Sequence, residues 1–90
     1  FGLNPYYQLY FKVDNALIPI TKFSVNDQSA ILHTNSNSNT ALNLKTFFTL
    51  SNQSVLSDKE ILINYDFNTF KVFGYRIAEN KLLINGKLRL

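Results

Sequence analysis

The sequence predicts an all-β fold, a small antiparallel barrel or sandwich of six or seven strands. Three observations carry that expectation. Short apolar runs alternate with polar residues at period two, and clusters of Asn, Asp, Ser and Gly separate them. Eight Phe and five Tyr, with eleven Ile and Val, lean the composition toward strands. No segment holds a helical period long enough to make a convincing helix.

Residues 6–13 open the pattern. Tyr7, Leu9, Phe11 and Val13 share one face, and Tyr6, Gln8, Tyr10 and Lys12 share the other. Asp14-Asn15 supplies turn chemistry, because both types tolerate a left-handed backbone. A second extended run covers 17–25, with Pro19 marking an edge or a strand beginning. Asn26-Asp27 turns the chain into a short strand over 29–33. Residues 34–40 contain no apolar side chain and read as a mobile hairpin loop. A further strand is expected over 41–50, where Leu42, Leu44, Phe48 and Leu50 alternate with Asn43, Lys45 and Thr49.

Residues 51–59 form a polar connection in which Ser57-Asp58 could cap a short helical turn. Ile61, Ile63, Tyr65 and Phe67 define one face of a strand over 60–67, and Asn68-Thr69 is the tight link to the next over 70–78. Gly74 inside that strand marks a bulge, a bend or a close backbone approach. A turn at 78–80 leads into 81–90, where Asn85-Gly86 could form one more type I′ hairpin or a bulge in a single strand.

Ninety residues suffice for one domain, since chains of this size bury roughly 60–65% of their extended surface. At 46% hydrophobic and 17% charged residues the chain is expected to be globular, not disordered. No internal repeat and no domain boundary is visible. The chain starts at Phe1 and reads as strand to Leu90, so a single β domain cut from a longer chain is expected over 1–90. It contains no Cys, which excludes disulfides and thiolate metal sites and suits the cytoplasm, leaving a bacterial surface or a virion open. No apolar run reaches the 18 or so residues of a membrane span, and no signal-like segment opens the chain.

The net charge is +3, from basic residues placed singly. Enrichment in the last third (Lys71, Arg76, Lys81, Lys87, Arg89) serves solubility more readily than a polyanion partner. His33 is the sole histidine, so a Ser-His-Asp arrangement could be drawn on paper but has no nucleophile motif behind it. Four of the six carboxylates fall at turns or connections, as structure alone requires; Asp58 and Glu60 lack the surrounding ligands of a calcium loop. One His and no Cys serve zinc poorly, and Gly2, Gly74 and Gly86 are too scattered to cradle phosphate. No catalytic residue, cofactor or metal is expected. Tyr6, Tyr10, Phe47 and Tyr75 could face outward and stack bases or sugars, although Phe and Tyr must fill most of the core of a chain without Trp or Met.

The stretch from Lys22 to Thr34, with Asp27-Gln28-Ser29 followed by an apolar run, resembles the second motif of PilZ domains. The segment Val72-Phe73-Gly74-Tyr75-Arg76-Ile77 is similar to that family's penultimate strand, and residues 82–90 to its closing one. The resemblance implies a six-stranded bacterial barrel whose ligand contacts would include Asp27 and Ser29, with Lys22 and Arg76 as the available cations. Leu32 stands where the family motif has glycine. No Arg precedes Arg76, so the family's Arg-x-x-x-Arg phosphate clamp is missing and cyclic di-GMP binding is not expected. The function so implied is a non-catalytic binding or regulatory module of a larger bacterial protein, acting on a protein partner or a neighbouring domain. Alternatives are a nucleic-acid-binding barrel of OB type, and a surface, adhesin or phage structural domain.

Overall fold

Six strands close into a ring in the computed structural model, which describes residues 4–51 and 59–88. They are β1 (Gln8–Val13), β2 (Ala16–Val25), β3 (Ser29–Thr34), β4 (Glu60–Tyr65), β5 (Asn68–Ala78) and β6 (Lys81–Leu88), with α1 (Leu44–Ser51) between β3 and β4. Each strand lies beside the next, and β6 returns to β1. The all-β expectation holds, as a barrel. Antiparallel pairing holds at four seams, but β3 with β4 and β6 with β1 run parallel. Parallel neighbours cannot be joined by a tight turn, so the chain between β3 and β4 must cross over.

That crossover corrects the strand expected over 41–50. Asn43 makes an isolated bridge to Gln8 just before the helix, and the backbone of Leu42 bridges two strands: its N–H donates to the Ile20 carbonyl at 2.7 Å and its C=O accepts from Leu9 at 2.8 Å. Asn43 then caps a helix, its Oδ1 accepting the Thr46 N–H at 2.8 Å. The alternation of Leu42 and Leu44 was a strand signal in the right place. The adjacent Phe47 and Phe48 break period two and mark the change. Residues 34–40 likewise do not form a hairpin. They lead from β3 toward α1, tied to β2 by the Asn35 N–H, which donates to the Pro19 carbonyl (3.0 Å), and held locally by Ser38 Oγ donating to the Thr40 carbonyl (2.7 Å). The turn suggested at Ser57-Asp58 lies outside the described residues.

The hairpins carry their strain in identifiable places. Two-residue loops join β1 to β2, β4 to β5 and β5 to β6, closing on the pairs Val13–Ala16, Tyr65–Asn68 and Ala78–Lys81. Asp14 (φ 52°) and Glu79 (φ 57°) occupy the first loop position, the pattern of type II′ turns. Asp66 (φ 52°) and Phe67 (φ 64°) are both left-handed, the pattern of type I′. The β4–β5 connection is therefore Asp66-Phe67, not Asn68-Thr69, and Phe67 is fully exposed instead of sharing the core face with Ile61 and Ile63. A bulky side chain at positive φ costs about 1 kcal/mol relative to glycine. Phe67→Gly is expected to stabilise the domain by about that amount, read as a higher urea midpoint. A lower midpoint would mean that the ring supports the fold. β6 runs unbroken through Asn85-Gly86, and the bulge lies opposite it in β5, between Val72 and Gly74.

The ring is an internal repeat, contrary to the expectation from sequence. Residues 8–34 and 60–86 correspond strand for strand at a constant offset, Gln8 answering to Glu60. The β2 bulge between Ile20 and Lys22 answers to the β5 bulge between Val72 and Gly74. Even the parallel seams exchange, since Gln8–Lys81 becomes Glu60–Ser29. Asp14 and Asp66 are the one identical pair across the two halves. What repeats is the apolar pattern: Leu9 and Ile61, Phe11 and Ile63, Ile20 and Val72, Phe23 and Tyr75, Leu32 and Ile84. These positions face inward, and Leu9, Phe11, Ile18, Ile20, Leu32, Ile63, Leu82 and Ile84 form one buried core with Leu44 from the crossover.

Candidate functional site

The four residues nominated from sequence are not brought together. β2 and β5 lie on opposite walls of the ring, so Lys22 on β2 and Arg76 on β5 cannot share a ligand pocket. Lys22 is exposed and sits opposite His33. Asp27 and Ser29 belong to the β2–β3 turn, whose bonding is structural. Asn26 Oδ1 accepts the N–H groups of Gln28 (2.9 Å) and Ser29 (2.7 Å), and the Asn26 N–H donates to the Ser29 carbonyl (2.9 Å). Lys59 Nζ closes the turn from outside by donating to the carbonyls of Asn26 (2.8 Å) and Asp27 (3.0 Å). The Asp-x-Ser pattern thus coincides with an Asn-centred turn.

His33 does meet a serine. Its Nε2 lies 2.8 Å from Ser24 Oγ on the outer face of β2 and β3. A nucleophile–base pair needs a third group to orient the ring. The register neighbours of His33 are Lys22 and Asn64, a cation and an amide. The Asn64 side-chain oxygen accepts from Thr69 Oγ1 at 3.2 Å. Among the described residues no group of three His, Cys, Asp or Glu could hold a metal ion.

The feature with a shape for binding is an apolar mouth where β5 meets β4, β6, β3 and α1. A cavity of about 340 Å³ is lined by Leu32, Phe47, Ile61, Val72, Tyr75, Leu82 and Ile84, together with Gly74. Tyr75 and Ile77 stand opposite Ile84 and Leu82 in the ladder, so they lie on the inner face of the sheet. They are nevertheless 59% and 43% exposed, and Phe73 at the bulge is 70% exposed. Two polar hollows lie elsewhere, one at the Asp66–Asn68 hairpin tip and one around Lys22, Asn35 and Thr46.

Sequence reasoning missed the mouth because Tyr75 and Ile77 alternate with Arg76 as core residues should. The pattern reports which face a side chain takes, not whether anything covers that face. The same alternation bears on base stacking. Tyr75 takes the inner face, while Arg76 pairs with Leu83 and Lys71 with Lys87 on the outer one. Phe47, one of the aromatics that could have faced outward, packs edge-on against Phe23 with centroids 4.9 Å apart. Tyr6 and Tyr10 are engaged by Lys45 and Lys81 at 6.0 and 5.8 Å. Among the described residues no helix is long and apolar enough to cross a membrane.

The chain matches no protein-family model, and comparisons with characterised proteins and with solved structures find no significant likeness.

Proposed function

We propose that this domain is a non-catalytic binding module that works through protein contacts. The observation that supports the reading is the uncovered inner face of β5. Monomeric domains seldom leave contiguous aromatic and aliphatic side chains in water without a partner to cover them. Phe73, Tyr75 and Ile77 supply the kind of large, semi-rigid apolar area that anchors protein interfaces. A PilZ-like layout used in regulation is compatible with this reading. In that case the module is degenerate, because Asp27 and Ser29 build a turn while Lys22 and Arg76 stand apart.

Selection of a random-peptide display library on the immobilised domain tests the proposal. Enrichment of apolar peptides is expected, with binding reduced at least about tenfold (roughly 1.4 kcal/mol) by Tyr75→Lys or Ile77→Lys. Calorimetric titration of the same protein with cyclic di-GMP is expected to give no heat of binding. Failure to enrich any peptide would overturn the protein-contact reading, as would micromolar affinity for that nucleotide or for single-stranded nucleic acid.

A further inference from the structure

We infer that the apolar mouth is a docking seat for an extended Leu-x-Leu segment that leads into a helical turn bearing an aromatic residue, supplied by a partner protein chain. This rests on the protein-contact reading and names its ligand. The argument comes from the internal repeat, which contains the same seat twice, once filled.

In the first half the seat lies between the start of β1 and the bulge of β2. The chain's own crossover occupies it. Leu42 bridges Leu9 N–H and the Ile20 carbonyl, and Leu44 N–H donates to the Tyr7 carbonyl at 2.8 Å. The Leu44 side chain enters the core at 3% exposure, and one turn on Phe47 covers Phe23. Backbone pairing and two apolar anchors together close that end of the ring.

In the second half the corresponding walls are Ile61 for Leu9, Val72 for Ile20, Tyr75 for Phe23 and Ile84 for Leu32. These residues line the cavity, whose far side is made by Leu32 and Phe47 of the filled seat. Leu9 and Ile20 are 1% and 0% exposed, whereas Ile61 and Val72 are only partly buried. Phe23 and Val25 are half-buried; their counterparts Tyr75 and Ile77 are exposed. The Ile61 N–H and the Val72 carbonyl are the counterparts of the two groups that Leu42 bridges. The rim is also more open. Where the filled seat has Lys22, this one has Gly74, and a side chain built there would meet nothing within 4 Å.

Charge narrows the partner further. The strands bordering the seat carry Lys71, Arg76, Lys81 and Lys87 against the acids Glu60, which pairs with Lys71 at 3.8 Å, and Glu79, so the local balance is basic. A docking segment with acidic flanks would be favoured, most strongly at low salt. This is strand addition at a bulge, with main-chain bonds giving affinity and alternate apolar side chains giving selectivity.

The chain itself supplies the probe, a fluorescent synthetic peptide with the sequence of residues 41–51, added to the whole domain. Anisotropy is expected to show saturable binding, and two added N-terminal aspartates to tighten it several-fold at low salt. Tyr75→Lys and Ile77→Lys in the domain, and Leu→Asn at both leucines of the peptide's Leu-Asn-Leu, are each expected to weaken binding at least tenfold. Amide shifts should move at Ile61, Val72, Tyr75 and Ile84. Shifts at Leu9, Ile20 and Phe23 instead would mean displacement from the filled seat and would overturn the inference. So would no binding at millimolar peptide, or self-association through β5 when peptide is absent. If library selection instead yields Tyr75-dependent peptides without the Leu-x-Leu pattern, the protein-contact reading stands and this inference falls.

Discussion

Replacing Phe11 by alanine is expected to remove about 3–5 kcal/mol of stability, enough to leave much of the population unfolded. Phe11 is 1% exposed and is the largest of the fully buried side chains. Its ring lies 5.0 Å from that of Phe70 and 5.7 Å from that of Tyr65, the latter edge-on. Truncation would forfeit the transfer energy of the ring and both aromatic contacts, and would open a void that strands fixed on both sides cannot collapse to fill. A domain of this length has about 5–13 kcal/mol in total at the usual stability per residue, so the loss is a large share of the whole. Urea unfolding followed by circular dichroism measures it. A change below about 1.5 kcal/mol would mean that the ring does not pack as described.

Gly86→Val is expected to cost about 1–3 kcal/mol by the opposite route. A Cβ at Gly86 would lie 3.0 Å from Phe11 Cε1 and 3.0 Å from Phe70 Cβ, before the two further methyl groups are added. The repeat explains why glycine belongs there. The counterpart of Gly86 is Thr34, which fits and donates its hydroxyl to the Asn64 carbonyl at 2.7 Å. Around Thr34 the places of Phe11 and Phe70 are taken by Ile63 and Ile18, so each half balances its volumes differently. The penalty should therefore shrink when Phe70→Ile is combined with Gly86→Val. Gly74→Ala, made in open space, serves as the control and should be neutral or stabilising by up to about 1 kcal/mol. An equal loss at both glycines would point to the backbone as the cause and not to crowding.

The strands were legible because each buries one face, and burial writes itself into sequence as period two. Leu9, Phe11, Ile63 and Ile84 all lie where that period puts them. The helix was not legible because Leu44, its first residue, completes a strand-like Leu-x-Leu alternation, and a single Asn43 cap makes the change. The repeat was invisible for a related reason: selection for a packed core conserves apolar character and volume across a ring, not identity. Asp14 and Asp66 match because both hold a left-handed turn, which few residue types tolerate. Of the candidate site, Asp27 and Ser29 carried a motif-like signal that the Asn26 turn accounts for. Tyr75 and Ile77 carried none, since an uncovered inner face and a covered one share the same spelling.

Ring closure also bears on how this domain avoids aggregating. An open sheet ends in two rows of unpaired amides and carbonyls, the template on which strands of other chains add and fibrils grow. Here β1 and β6 satisfy one another from Gln8–Lys81 to Lys12–Asn85, so the folded ring ends in no such row. Pro19, which in an open sheet would read as a guard against strand addition, instead pairs with Tyr10 of β1, just before the bulge that β2 makes against β3. Any assembly of the folded domain by backbone pairing is thereby confined to gaps at a bulge, which are too short to propagate a fibril.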